Sequence, residues 1–156
     1  MLGRDYASQD CSIARSLEVI GERWSLLVIR DLSFGVTRFD DLTASLQIAP
    51  NVLSTRLKRL EDAGLVERRA YQERPRRWEY HLTDKGRALQ PVLFHLAKWG
   101  DRFYPSEQGP PRRALHSECG GEIDQQMTCN RCGEAVWFDA VETVDRDAGP
   151  ALTARP

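Results

Sequence analysis

Apolar residues recur at helical spacing along the first part of the chain. Before Gly35 they lie three or four positions apart, and Gly21 interrupts the run, which predicts two helices. The segment TRFDDLTASL predicts a short third helix with Thr37 as its capping residue. Pro50 suits a first helical position and Gly64 a C-terminal stop, so a fourth helix is predicted between them.

After Gly64 the pattern changes from helical to extended. The segments LVERRAY and RWEYHLT are rich in Val, Tyr, Trp and Thr and flank QERPR, which predicts a β-hairpin with a long basic tip. An apolar stripe from Leu89 to Phe103 then predicts a long helix that is kinked or begins afresh near Pro91. This order of elements is that of a winged helix-turn-helix, a mainly α fold with a small β-hairpin wing.

Composition divides the chain into four parts. Residues 1–104 carry the predicted helices and wing, and the Pro- and Gly-containing stretch 105–115 predicts a linker. Residues 116–142 contain a cysteine-rich segment, for which we predict a small zinc-ribbon-like β module. Residues 143–156 predict a flexible tail.

The charge of the chain is unevenly distributed, although the formal net charge is only −1. From Arg56 to Arg77 there are eight basic and four acidic residues, whereas from His116 to Pro156 there are three basic and eight acidic residues. A polyanion would therefore bind the first of these regions. No apolar run approaches the roughly eighteen residues needed to cross a bilayer, and the N-terminus lacks a secretory signal. We expect a cytoplasmic protein with no membrane partner.

The fourth predicted helix separates its faces by side-chain type. At about 100° per residue, Leu53, Leu57 and Leu60 fall on one side, and short hydrogen-bonding and cationic residues fall on the other. Such side chains suit base edges and phosphates in a major groove, and arginines on a wing suit a phosphate backbone or a minor groove. The alternative for the helix is an ordinary solvated surface. The candidate DNA-binding residues are Asn51, Ser54, Thr55, Lys58, Arg59, Arg74, Arg76 and Arg77.

The segment HSECGGEIDQQMTCNRCG contains two pairs of metal-ligand residues, His116 with Cys119 and Cys129 with Cys132. Each pair has a two-residue spacer and a following glycine, as the two knuckles of a zinc ribbon require. One imidazole and three thiolates make a closed tetrahedral set, which predicts a structural Zn²⁺ ion. The alternatives are a redox pair of Cys129 and Cys132, and a module that keeps its shape without metal.

Four motifs follow one another between Cys11 and Phe103: CSIARSLEVIGERWSLLVIRDLSFGVTRFDDL, NVLSTRLKRLEDAGLVERR, YHLTDKG and LAKWGDRF. In this order they resemble the HxlR family of bacterial winged-helix transcriptional regulators, which are related to the MarR type. The resemblance implies a homodimer, with the N-terminal helices and the long helix after the wing at its interface. It also implies two recognition helices set for a pseudo-palindromic operator in double-stranded DNA. For the stripe from Leu89 to Phe103, the alternative is an intramolecular core.

Cys11 precedes the first predicted helix, where backbone amides can lower the pKa of a thiol. Some members of the resembled family sense oxidants or electrophiles through a cysteine at this position, so Cys11 is a candidate redox sensor. The alternative is a small residue packed beneath the dimer interface. Whether an effector exists, and whether it is a small molecule or an oxidant, stays open.

These features predict a sequence-specific, DNA-binding transcriptional regulator. The alternative is a protein-interaction adaptor that uses a winged helix and a zinc ribbon. An enzyme is not expected, because the sequence has no Ser-His-Asp set, no phosphate-binding loop and no paired carboxylates suited to a cleft.

Overall fold

The computed structural model describes residues 6, 9–119, 121–123, 125, 127–128 and 131–136. The chain divides into two compact units, of which the first ends at Phe103 and the second begins at Tyr104. Within the described part of the chain, no helix has the length and apolar character needed to span a membrane.

Four helices open the first unit and confirm the helical pattern of the sequence: α1 (Ser12–Ile20), α2 (Ser25–Ser33), α3 (Phe39–Leu46) and α4 (Pro50–Asp62). Helix α4 begins at Pro50 because the missing proline N–H would have no partner in the first turn. The chain leaves this helix through Gly64, whose φ of +69° is strained for any residue with a side chain.

One apolar core joins these helices to the wing. Each buried leucine or isoleucine contributes about 1.5–3 kcal/mol relative to exposure, so the core is the main source of stability in this unit. Its members come from the four helices, from the loops around α4 and from the wing. They are Ile20, Val28, Ile29, Leu32, Leu42, Leu46, Ile48, Leu53, Leu57, Leu60, Leu65, Val66 and Leu82.

The wing consists of strands β1 (Val66–Glu73) and β2 (Arg76–Leu82), which pair antiparallel. The predicted hairpin is confirmed, but the prediction of a long tip is wrong. Pairing continues to Glu73 and Arg76, and a bulge near Ala70 absorbs one residue. Backbone ladders extend regardless of side-chain polarity, so a polar stretch such as QERPR can be mostly strand.

Thr37 does not cap α3, contrary to the sequence prediction. The residue at the cap position is Arg38, and its side chain makes no capping hydrogen bond. The carbonyl of Thr37 instead accepts a hydrogen bond of 2.8 Å from the N–H of Tyr80, and Arg38 forms a β-bridge with Glu79. The segment before α3 therefore lies along strand β2, where backbone pairing replaces a side-chain cap.

Two helices follow the wing, α5 (Asp84–Arg87) and α6 (Gln90–Phe103). The long helix thus begins afresh beside Pro91, which confirms one of the two predicted outcomes. The side chain of Thr83 caps α5 by accepting a hydrogen bond of 3.1 Å from the N–H of Gly86. Helix α6 has no fully buried residue, and only its first turn packs against the core, through Leu93.

Two short antiparallel pairings occur in the second unit. Leu115 forms a β-bridge with Glu122, and strand β3 (Met127–Thr128) pairs with strand β4 (Ala135–Val136). The N–H of His116 donates to the carbonyl of Gly121 at 2.8 Å, which closes the first turn. The described residues of the second unit therefore contain one isolated β-bridge and one two-residue strand pair, and the predicted zinc-ribbon-like module stays a prediction.

Candidate nucleic-acid interface

Helix α4 presents its candidate DNA-binding residues on the side away from the core. Leu53 and Leu57 are at most 1% exposed, whereas the five polar candidates of this helix are exposed. The helix thus separates an apolar, anchoring face from a polar, accessible face. The residues on the polar face are Asn51, Ser54, Thr55, Lys58 and Arg59.

Local hydrogen bonds limit what two of these side chains can offer. The hydroxyl of Thr55 donates to the carbonyl of Asn51 at 2.9 Å, so its remaining capacity is as an acceptor. Lys58 pairs with Asp62 at 3.2 Å, but both side chains are highly exposed and such a pair is worth little. The first turn of α4 has no acidic residue and no side-chain cap, which leaves its positive dipole end open to a phosphate.

The wing arginines fall into two groups. Near the base, Arg68 pairs with Glu61 at 3.4 Å, and Arg69 pairs with Glu67. At the tip, the candidate arginines have no carboxylate partner within the described part of the chain. These tip arginines are Arg74, Arg76 and Arg77.

Two aromatic side chains of the wing lie against arginine side chains. The guanidinium groups of Arg68 and Arg76 lie 4.8 and 4.5 Å from the ring centroid of Trp78, within cation–π range. Arg38, which the sequence did not single out, lies over the ring of Tyr71 at 4.7 Å and pairs with Glu79 at 3.1 Å. These contacts restrict the guanidinium groups while leaving them accessible at the surface.

A contact that the sequence did not reveal lies beside the polar face of α4. Glu22, in the turn between α1 and α2, pairs with both Arg56 and Arg59 of α4. The Arg56 side chain is only 10% exposed, and burial lowers the pKa of its guanidinium. Its position beside the buried leucines of α4 was a signal available in the sequence, because a buried arginine requires an acidic partner.

Cys11 occupies the N-cap position of α1 and is partly buried. The backbone N–H groups of Ala14 and Ile13 favour the thiolate and lower the pKa of the Cys11 thiol. Its sulfur has no disulfide partner in the described part of the chain.

The candidate metal ligands are only partly described. Nδ1 of His116 lies 3.3 Å from Sγ of Cys119, so the first pair of ligands is brought together. Cys132 is exposed and adjoins Gly133, whose φ is +72°, whereas Cys129 lies outside the described residues. Among the residues that the structure describes, no group of three or more metal-ligating side chains is assembled.

Known proteins resemble the winged-helix unit, and some of them also resemble the chain that follows it. Residues 19–108 match the family described as HxlR-like helix-turn-helix. An uncharacterized HTH-type transcriptional regulator of Mycobacterium tuberculosis is 40% identical over 144 residues, which cover 92% of this chain and 89% of that protein.

Solved structures show the same likeness. The crystal structure of PA1607, a proposed transcription factor, matches with a TM-score of 0.77 at 34% identity and covers 88% of this chain and 96% of that one. The redox regulator HypR in its oxidized form matches with a TM-score of 0.55 at 31% identity, over 59% of this chain and 96% of that one.

The mycobacterial match extends past the family match, because an alignment over 92% of this chain must include the cysteine-rich segment. The family and the relatives are HTH-type transcriptional regulators, a class that binds DNA and is not enzymatic. The exposed polar face of α4, the basic wing beside it and the match over residues 19–108 agree. The chain belongs to the HxlR-like helix-turn-helix family of transcriptional regulators.

Proposed function

We propose that this regulator binds a pseudo-palindromic operator as a homodimer, with α4 and the wing of each protomer on one side of the duplex. The proposal is supported by the exposure of candidate side chains on both α4 and the wing. The five candidate side chains of α4 and the tip arginines face solvent, while the leucines of the same helix are buried. Two such units about a two-fold axis would read half-sites about 34 Å apart, which is one turn of DNA.

Within this interface, base reading and phosphate binding fall to different side chains. Asn51, Ser54 and Thr55 carry short amide or hydroxyl groups at the start of α4, the end of a recognition helix that enters the major groove. Lys58 and Arg59 lie further along the helix and suit phosphates. The tip arginines extend the contact to a neighbouring stretch of backbone, where charge matters more than sequence.

A second copy of the chain would cover the outer face of α6. Val92, Leu96, Trp99 and Phe103 are each 47–56% exposed, and they form an apolar stripe along this helix. A stripe of this kind on a helix with no buried residue favours burial against a partner.

Sedimentation of the purified protein tests the dimer. Leu96→Glu should convert the dimer to a monomer, because it introduces a charge into the apolar stripe. Leu115→Glu is the matched control, since Leu115 is also half exposed but lies in the second unit. A monomeric wild-type protein, or a Leu96→Glu variant that remains dimeric, would contradict this interface.

Selection from random duplexes, followed by titration of the selected DNA at several salt concentrations, tests the operator. The logarithm of the affinity should fall linearly with the logarithm of salt, with a slope of about −0.9 per phosphate contacted. A protein-interaction adaptor would select no sequence and would respond weakly to salt. Either result would end the DNA-binding proposal.

Paired variants separate the two kinds of contact. Replacing Arg76 and Arg77 with Ala should weaken binding to all duplexes alike and reduce the salt slope by about 1.8 for two phosphates. Asn51→Ala should instead reduce the preference for operator over scrambled DNA, by about 1–3 kcal/mol for one base contact. Equal losses on both duplexes from both changes would contradict this division of roles.

We extend the proposal to Cys11 as an oxidant-sensitive residue. Its support is the N-cap position, the lowered thiol pKa, and the structural likeness to HypR, which is described as a redox regulator. Mild peroxide should change operator affinity in the wild type but not in Cys11→Ser. Unchanged binding after complete oxidation of Cys11 would remove this role.

The second unit is proposed to bind one structural zinc ion through His116, Cys119, Cys129 and Cys132. The first pair fits such a site, since Nδ1 of His116 and Sγ of Cys119 are 3.3 Å apart and exposed. The second pair is carried by the chain between β3 and β4, and Cys129 itself lies outside the described residues. When bound, zinc would cross-link the two segments that carry the ligand pairs. Elemental analysis should find one zinc per chain.

A further inference from the structure

The carboxylate of Glu22 bridges two arginines of the recognition helix. One of its oxygens pairs with Arg56 and the other with Arg59. The two arginines are three positions apart, so they are neighbours on the surface of α4. One acidic side chain from outside the helix therefore holds two of its cations.

The two ion pairs differ in how much they depend on Glu22. Arg56 is buried, and its Nε has no hydrogen-bond partner within the described part of the chain. A buried guanidinium is strongly disfavoured without a carboxylate, so this pair anchors α4 to the turn between α1 and α2. The Arg59 side chain is 59% exposed, and water can solvate it if the carboxylate is absent.

The exposed partner also borders the DNA-binding face. Arg59 follows Lys58 and lies one turn beyond Thr55, and all three residues are exposed. A DNA phosphate offers a guanidinium the same kind of charged oxygen acceptor as a carboxylate does. Contact between Arg59 and the DNA backbone would therefore compete with Glu22.

We propose that Glu22 competes with DNA phosphate for Arg59 while it anchors α4 through Arg56, and so limits the affinity of the protein for DNA of any sequence. This inference rests on the proposed DNA-binding role of α4. Non-specific binding depends almost entirely on phosphate contacts, so neutralising one cation in the free protein weakens binding to every duplex.

Glu22→Gln tests the competition, with affinity measured on operator and scrambled duplexes at about 50 and 200 mM salt. The variant should bind both duplexes more tightly, with a salt slope steeper by about 0.9, because Arg59 is released for one phosphate. The gain over wild type should therefore be about three- to fourfold larger at 50 mM than at 200 mM salt. Glu107→Gln is the control, since it removes one exposed acid of the second unit and should leave the slope unchanged.

Repeating the test in a second variant protein distinguishes the competition from misfolding. Glu22→Gln leaves the charge of Arg56 without its partner, so the same change is also made in an Arg56→Met protein, which lacks that buried charge. The steeper slope should persist there. It should disappear when Glu22→Gln is made in an Arg59→Ala protein, because no guanidinium is then released.

The outcomes separate this inference from the proposed function. If the wild type binds DNA with a steep salt dependence, but Glu22→Gln leaves the slope unchanged in both backgrounds, the competition is wrong and Glu22 only positions α4. An increase in slope that survives in Arg59→Ala would also overturn it. If the wild type has no salt-dependent affinity for any duplex, the proposed function itself is wrong.

Discussion

The two units of the chain are stabilised in different ways. The first unit encloses an apolar core with several leucines and isoleucines that are almost completely inaccessible to water. In the second unit, no residue whose exposure is described is buried. Small units with little buried apolar surface often draw stability from another source, and the proposed zinc ion would be one. A buried apolar core therefore accounts for the stability of the first unit, and the described part of the second unit offers no comparable core.

Removal of the proposed zinc ion should have the largest effect, and it should act on one unit alone. A strong chelator, or Cys132→Ser, should abolish protection from hydrogen exchange around β3 and β4, because a structural zinc site supplies most of the folding free energy of such a module. Protection in α2 and α4 should remain. Loss of protection in both units, or in neither, would show that their stabilities are not separated in this way.

A core truncation should have the opposite pattern. Leu53→Ala removes a fully buried side chain of α4 and should lower the free energy of unfolding of the first unit by about 2–5 kcal/mol, measured by urea denaturation. Leu115→Ala is the control, since it alters a half-exposed leucine of the second unit. That control should leave the main transition unchanged. Zinc content should be equal in both variants.

A close backbone contact at the end of the wing should have a smaller effect. A Cβ on Gly86 would lie 2.1 Å from the carbonyl oxygen of Leu65, so Gly86→Ala must displace α5 from the chain that enters β1. We expect a loss of about 1–3 kcal/mol in the unfolding free energy of the first unit. An unchanged denaturation midpoint would mean that the two segments can separate without cost.

The smallest effect concerns the reactivity of the cysteines and not stability. The amides of Ala14 and Ile13 lower the pKa of Cys11, so its alkylation rate should reach half its maximum at a lower pH than in the urea-unfolded chain. The rate falls as the pH drops through this pKa, because only the thiolate reacts. Mass spectrometry should show Cys11 modified before the proposed zinc ligands, and chelation should speed the modification of those ligands.

Much of the first unit could be predicted from the sequence because its signals are local. The helical spacing of apolar residues, Pro50 at a helix start and Gly64 at a helix end all act within a few positions. The errors at Thr37 and at the wing tip have a common cause. In both places, backbone pairing with strand β2 determined the conformation, and turn-forming or capping residues did not.

The candidate interface was predictable to a similar extent. The five candidate residues of α4 could be assigned to one face by angle alone, and the structure exposes all of them. Their electrostatic state could not be assigned, because it depends on partners from other elements. Glu22 is the example, since nothing in its local sequence indicates that it holds Arg56 and Arg59.

By itself the sequence determined the order of the elements, the family and the concentration of basic residues between Arg56 and Arg77. Periodicity, helix breakers and charge are properties of neighbouring residues, and for that reason they can be read along the chain. Only the tertiary structure decided which of those arginines are held by acids and which stay accessible to a phosphate. Ion pairing depends on distance in space, and folding brings together side chains that are far apart in the chain.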